Sequence, residues 1–247
     1  MTEAAPSIER EAPVTVERAV AEYGCEGELR YLSHHDELRM LVRALVRARW
    51  PLAYSRGFNP LPRVALPLPR RTGIAATCQV ALIDLVVAEA PETLYTRLAA
   101  ALPAACHLQR VIAPTSRATP HAERVTYELP LTAAEATVVV AGSPRMLAAE
   151  SLPQRRADHP KRPARVIDIR PYVERIELDG LMLRLELRIA DQQTARPSEV
   201  LTELGLAAEA CEARLRRGEI RWDMEFAGPC FGPAPRERTY FGNEDNE

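Results

Sequence analysis

A chain of 247 residues, 47% of them hydrophobic, is long enough for one large domain or two of about 120 residues each. Such a composition excludes a globally disordered chain, and no apolar run approaches the ~20 residues needed to cross a bilayer. The formal net charge of −2 conceals an asymmetry: residues 30–71 hold nine arginines against Asp36 and Glu37, a net of +7 that leaves −9 on the rest.

Taken from the start, Met1–Arg18 has no apolar core segment and predicts neither a signal nor a transit peptide, so a cytoplasmic location is expected. Residues 1–20 read as a mobile leader, with order beginning near Glu22. Glu28–Leu32 reads as a strand. Ser33-His34-His35-Asp36 has the Ser-x-x-acid form that opens a helix, and Leu38, Leu41, Val42 and Leu45 fall on one face of a helix from His34 to Arg49, ended by Pro51. A turn-rich loop follows, Tyr54-Ser-Arg-Gly-Phe-Asn-Pro60. Val64–Leu68 and Thr77–Val87 predict strands, Pro91 opens a second helix, and Leu108–Ala113 closes the unit as a strand.

The second half repeats this order. Arg124–Leu131 reads as a strand and Thr132 as the cap of a helix to about Ala141, with a further helical stretch from Ser143 to Glu150. Pro153–Pro163 is a charged connector. Val166–Leu178 and Leu181–Ile189 pair across Asp179-Gly180, a strong hairpin turn. Pro197 opens helical pattern that runs to Arg217, and Glu219–Phe226 is a last strand. The expected fold is therefore α+β, with two tandem ferredoxin-like (βαββαβ) units and antiparallel sheets. The units span residues 21–120 and 121–228, and 229–247 is a loose tail.

Five cysteines, Cys25, Cys78, Cys106, Cys211 and Cys230, have no two within four residues. That spacing fits neither a disulfide framework nor a metal or cluster ligand set, so no metal and no cofactor are expected. Three constellations carry chemistry. His34 and His35 start a helix, but successive helical residues point about 100° apart, so the pair cannot grip one ion; a cap with one packed histidine competes with His34 as a general acid or base. Arg39, Arg43 and Arg47 recur every four residues along one flank, which suits an anionic ligand or a solvated face alike. The loop joins Arg56, Phe58, Asn59 and Arg63, with Gly57 and Pro60 setting its geometry. There an aromatic ring can stack on a base and guanidinium groups can hold phosphate, unless Phe58 plugs the core.

Arg30-Tyr-Leu-Ser-His-His-Asp36, Pro51-Leu-Ala-Tyr-Ser-Arg-Gly-Phe-Asn-Pro60 and Pro62-Arg63 together resemble the signature of the radical-SAM-linked bacterial family of unknown function. Ile167-Asp-Ile-Arg-Pro171 and Arg196-Pro-Ser-Glu-Val-Leu201 extend the resemblance. Two positions depart from the pattern: His35 stands where leucine is usual and Leu61 where a loop histidine is usual. The resemblance implies a radical-SAM partner encoded nearby and a context of RNA metabolism. The chain has no Cys-x-x-x-Cys-x-x-Cys to hold a cluster itself. Three functions follow as expectations: an accessory RNA-binding protein that presents RNA to a radical-SAM enzyme for modification, a metal-independent endoribonuclease using His34, or a protein-only adaptor for that enzyme.

Overall fold

The computed structural model describes residues 17–156, 163–228 and 230–232. Most of the expected leader, residues 157–162 of the connector, and nearly all of the expected tail lie outside the described residues. In chain order the elements are β1 (Glu17–Cys25), a 3-10 turn (Gly27–Tyr31), α1 (His34–Arg47), β2 (Val64–Ala65), β3 (Ala75–Leu85), α2 (Pro91–Ala101) and β4 (Cys106–Ile112). There follow β5 (Ala122–Pro130), α3 (Ala133–Ala148), β6 (Pro153–Arg156), β7 (Arg165–Asp168), β8 (Val173–Asp179), β9 (Met182–Arg188), α4 (Pro197–Glu203), α5 (Ala208–Glu212), β10 (Arg216–Trp222) and β11 (Cys230–Phe231).

The architecture is α+β. A nine-stranded, mostly antiparallel sheet runs β11-β4-β1-β3-β10-β5-β9-β8, with β2 added on β3, and β6–β7 form a separate two-stranded ribbon. The joint between the halves is the parallel pair β3·β10, in register Arg216↔Ala75 and Arg217↔Ala76. Where two units with their own sheets are expected, one continuous sheet crosses from half to half.

Each half builds its own core. In the first, the side chains of Ala19, Ala21 and Tyr23 on β1 meet Leu41 and Leu45 of α1 and Leu94 and Leu98 of α2, so both helices cover the same face. On the opposite face Val20, Val80, Leu82 and Ile112 are covered by Trp222 and Phe226, which arrive on the segment leaving β10. The second core gathers Leu183, Leu185 and Leu187 of β9 under Val139 of α3 and Val200 and Leu201 of α4.

Several elements differ from expectation for local reasons. The first strand is Glu17–Cys25, so residues 17–20 are sheet and not leader. Gly27 takes φ +56, a left-handed conformation that only glycine adopts cheaply, and it converts the expected strand Glu28–Leu32 into a 3-10 turn. Val166–Leu178 is not one strand: the Asp168 carboxylate accepts from the N–H groups of Leu152 (2.7 Å) and Arg170 (3.0 Å), bending the chain into a 3-10 turn at Arg170–Tyr172. Helix α3 continues through Pro144 to Ala148; the carbonyl that proline leaves without a helical donor belongs to Val140, an exposed residue. The helical pattern from Pro197 to Arg217 divides into α4 and α5, with Arg216 and Arg217 already in β10. Cys230–Phe231 pairs with β4, so this part of the expected loose tail is sheet.

Candidate nucleic-acid interface

Helix α1 begins at Ser33, whose Oγ accepts from the Asp36 N–H at 3.2 Å and donates to Asp36 Oδ2 at 2.7 Å. It closes with a Schellman arrangement: Arg49 N–H reaches the Val46 carbonyl (3.0 Å) and Trp50 N–H the Leu45 carbonyl (3.2 Å), with Arg49 in the left-handed region at φ +53. The helix therefore ends at Arg47, ahead of Pro51. Its buried face is Glu37, Leu41, Ala44 and Leu45. Arg39, Arg43 and Arg47 lie on the exposed flank. Arg39, with 72% of its side chain in solvent, meets Asp36 at 3.4 Å, Arg43 Nε donates to the Arg39 carbonyl at 3.3 Å, and Arg47 Nη2 donates to the Ala101 carbonyl at the end of α2 at 2.6 Å.

Residues 53–63 form a narrow hairpin off the edge of β3. At its foot Ala53 N–H donates to the Asp84 carbonyl (2.8 Å), Asp84 N–H to the Arg63 carbonyl (3.0 Å) and Arg63 N–H to the Ala53 carbonyl (2.8 Å). Tyr54 bridges Pro62, and Ser55 N–H donates to the Leu61 carbonyl at 2.8 Å while Ser55 Oγ accepts from Leu61 N–H at 3.0 Å. Gly57 turns the tip at φ +140, a value open to glycine and strained for other residues. The alternative of Phe58 as a core plug is excluded, since its ring is fully exposed. Arg56, Asn59 and Pro60 are exposed beside it, as is Leu61.

At the same foot stands a cluster the sequence reading does not find. The buried Asp84 carboxylate takes Arg18 on Oδ1 (Nε 3.0 Å, Nη2 2.9 Å) and both Arg63 (3.0 Å) and Arg117 (3.6 Å) on Oδ2. Three cations from three chain segments meet one anion. An aspartate inside the otherwise apolar run Val80–Leu85 is the one local signal for it.

Of the remaining arginines of the basic stretch, Arg49 is exposed, Arg70 faces inward, and Arg30 and Arg71 reach toward the other half. Arg70 is buried. Its Nη2 donates to Glu37 Oε2 (3.0 Å) and the Leu29 carbonyl (3.1 Å), and its Nη1 to the carbonyls of Arg30 and Ile74. Glu37 Oε1 also accepts from Tyr23 Oη and Gln79 Nε2, each at 3.0 Å, and Gln79 Oε1 accepts from Arg217 of β10. Burial, and then the adjacent Glu37 charge, push the Tyr23 hydroxyl well above its usual pKa, and burial lowers that of Arg217. Glu37 was legible in principle: it precedes Leu41 and Leu45 by one and two steps of four, on the buried stripe. Arg30 donates to the Ala213 carbonyl (2.5 Å), and Arg71 reaches Ser198 Oγ at 3.2 Å and Glu212 at 4.0 Å.

His34 is half-buried, its ring centroid 5.4 Å from that of His35. Its Nδ1 is buried and has no hydrogen-bond partner among the described residues. Among the described residues no group of three or more His, Cys, Asp or Glu side chains is placed to hold a metal ion, and no helix is long and apolar enough to cross a membrane.

Fold and surface together define an α+β protein with a polar, arginine-lined edge. The chain belongs to DUF2344, a family of uncharacterized proteins conserved in bacteria, whose model matches residues 18–197. That span takes in α1, the hairpin and the Asp84 cluster, and stops short of β10. No curated protein matches the chain. Among solved structures it is similar to the crystal structure of an unknown protein from Galdieria sulphuraria, at 13% identity over 85% of this chain and 100% of that one, with a TM-score of 0.25.

Proposed function

We propose that this protein is an accessory RNA-binding protein that works in the cytoplasm and presents an RNA to a radical-SAM partner, encoded nearby, for modification. The observation that carries the reading is Phe58, a fully exposed ring at a glycine-turned hairpin tip with Arg56 beside it and Arg63 at the foot. Leaving a large aromatic ring in water is unfavourable, and stacking on a base gives it a partner without demanding a sequence. The exposed flank Arg39-Arg43-Arg47 adds cations for the phosphate chain. The motif shared with the radical-SAM-linked family supports the choice of partner, and radical chemistry then takes place on that enzyme.

We further read each half as a ferredoxin-like unit, the two meeting at Pro120–His121. What supports this is the strand succession. Counting within each half and leaving out the β6–β7 ribbon, β4-β1-β3-β2 and β10-β5-β9-β8 are both fourth-first-third-second.

Binding of a fluorescent single-stranded RNA at several salt concentrations tests the function. Replacing Arg39, Arg43 and Arg47 together by Ala should weaken binding and lower the slope of log K against log salt by about two, at roughly 0.7 for each phosphate no longer neutralised. Phe58→Ala should lose about 1–3 kcal/mol with the salt slope unchanged. Unaltered affinity in both variants overturns the reading. RNA cleavage in the presence of EDTA, abolished by His34→Ala, selects the endoribonuclease instead. Co-purification with the radical-SAM enzyme without any RNA affinity selects the protein-only adaptor.

A further inference from the structure

We infer that the Arg18–Arg63–Arg117 cluster at the foot of the hairpin is a seat for a phosphomonoester, and that the RNA of the proposed function is held by a phosphorylated end. The inference rests on that function for the identity of the ligand and on the cluster's own geometry for its charge.

The donors and acceptors do not balance. Arg18 is spent: Nε and Nη2 lie on Asp84 Oδ1, and Nη1 donates to the Arg117 carbonyl at 2.6 Å. Arg63 and Arg117 share the other oxygen, at 3.0 and 3.6 Å. Each guanidinium carries five N–H donors in a planar fork, so among the described residues most of the donors on Arg63 and Arg117 are left over. Asp84 cannot take them all: Oδ1 already accepts from two Arg18 N–H groups, and the one oxygen left, Oδ2, is shared by Arg63 and Arg117 as ion-pair contacts. About half of each of these two side chains, 47% in both cases, faces solvent. One negative charge among three positive ones leaves an excess of two, gathered around a single carboxylate.

Such an excess selects its ligand by charge. An internal phosphodiester carries one negative charge, whereas a terminal phosphomonoester carries about −1.5 to −2 at neutral pH and three strong acceptor oxygens. The terminal group matches both the charge and the paired forks, and arginine–phosphate contacts are commonly bidentate for this reason. The foot of the hairpin also fixes direction. Arg63 is on the returning arm, and its backbone is hydrogen-bonded to both Ala53 and Asp84. A chain whose end sits on the cluster can run along the hairpin toward Phe58, so that the phosphate is anchored at the base and a nucleobase at the tip.

One oligonucleotide prepared with a 5′-phosphate, with a 3′-phosphate or with hydroxyls at both ends tests the seat. The wild-type protein should bind one of the phosphorylated forms about tenfold or more tightly than the hydroxyl form, and Arg63→Ala/Arg117→Ala should abolish that preference while retaining the residual affinity. The double variant Arg39→Ala/Arg43→Ala removes the same charge from α1 and should weaken all three RNAs alike. Equal binding of the three RNAs by the wild type overturns the seat and leaves the RNA-binding function standing. Should no RNA bind, the function itself fails and inorganic phosphate decides the seat. A rise in Tm with phosphate that disappears in Arg63→Ala/Arg117→Ala supports it, and no rise overturns it. Arg117→Lys, which keeps the charge but loses the fork, should retain only part of the preference, a graded result that loss of folding does not produce.

Discussion

Arg70 and Arg39 belong to one run of basic residues and lead opposite lives. Arg70 lies in the interior, 1% exposed, with its charge against the equally buried Glu37 and its donors also on four backbone carbonyls. Arg39 has 72% of its side chain in water and a single long contact to Asp36. The interior knot joins α1, β1, β3 and β10 through Glu37, Tyr23, Gln79 and Arg217, and in doing so fastens one half of the protein to the other at the parallel joint. On the exposed flank the described contacts of Arg39 and Arg43 stay within their own helix, and Arg47 alone of the three reaches another element, at the Ala101 carbonyl of α2. The difference teaches that charge density along a chain does not separate the two roles; the number of partners each charge meets after folding does.

The largest expected effect is on the interior side. Arg70→Ala strands the Glu37 carboxylate in a dry site, and removing one partner of a buried pair costs about 3–5 kcal/mol. Urea unfolding should show the midpoint fall accordingly. The double variant Glu37→Leu/Arg70→Met, which takes out both charges, should recover most of the loss, because an apolar pair of similar volume is often neutral or better. If Arg70→Ala loses less than about 1 kcal/mol, the contrast with Arg39 disappears and the knot is no more than a crowded surface.

Local features were the legible ones. Ser33 and Thr132 as caps and Pro91 as a helix start each act over a few residues and stand where sequence places them, while the hairpin expected across Asp179-Gly180 turns one residue later, through Gly180-Leu181, with Asp179 paired to Met182. The joint between the halves pairs Ala76 with Arg217, a contact between segments far apart in the chain that no periodicity encodes. The same limit applies to the surface. Arg63 is visible as a loop arginine, but its neighbours Arg18 and Arg117 come from the start of β1 and the segment after β4, and only folding brings them to Asp84. Glu37 shows the limit in the other direction: counted in sequence only as one of two acids in the basic stretch, it occupies the apolar stripe, where its charge requires Arg70.

Between these extremes stands the pair Glu135–Arg214 of the second half, at 2.6 Å and with side chains 23% and 34% exposed. Glu135 also accepts from the Thr132 backbone N–H at 2.7 Å, completing the capping box of α3. The Arg214 hydrogen bond first, and the Thr132 backbone bond next, hold its pKa at about 2, against an ordinary 4.5. A carboxyl depressed in the folded state contributes stability that is complete above the unfolded pKa and is lost as pH falls through the folded one. Stability should therefore decline from about pH 4.5 toward pH 2, and Glu135→Gln should flatten that part of the profile. Thr132→Ala, which removes the cap but not the ion pair, should lose about 1 kcal/mol at pH 7. A Glu135→Gln profile that overlays the wild type down to pH 2 would move this pair to the exposed side of the comparison.

The smallest expected change sharpens the contrast most. An exposed ion pair is worth about 0.2–1 kcal/mol, and Arg43, whose Nε only touches the carbonyl of Arg39, has less to lose. Arg39→Ala and Arg43→Ala should each leave the unfolding midpoint within about 0.5 kcal/mol of wild type. Removing either cation also relieves repulsion from the neighbour one helical turn away, so a slight gain is as acceptable as a slight loss. A fall of more than about 1 kcal/mol would mean that these side chains support the fold in the way Arg70 does. The flank would then no longer be free to serve a ligand, and the RNA-binding reading would rest on the hairpin alone.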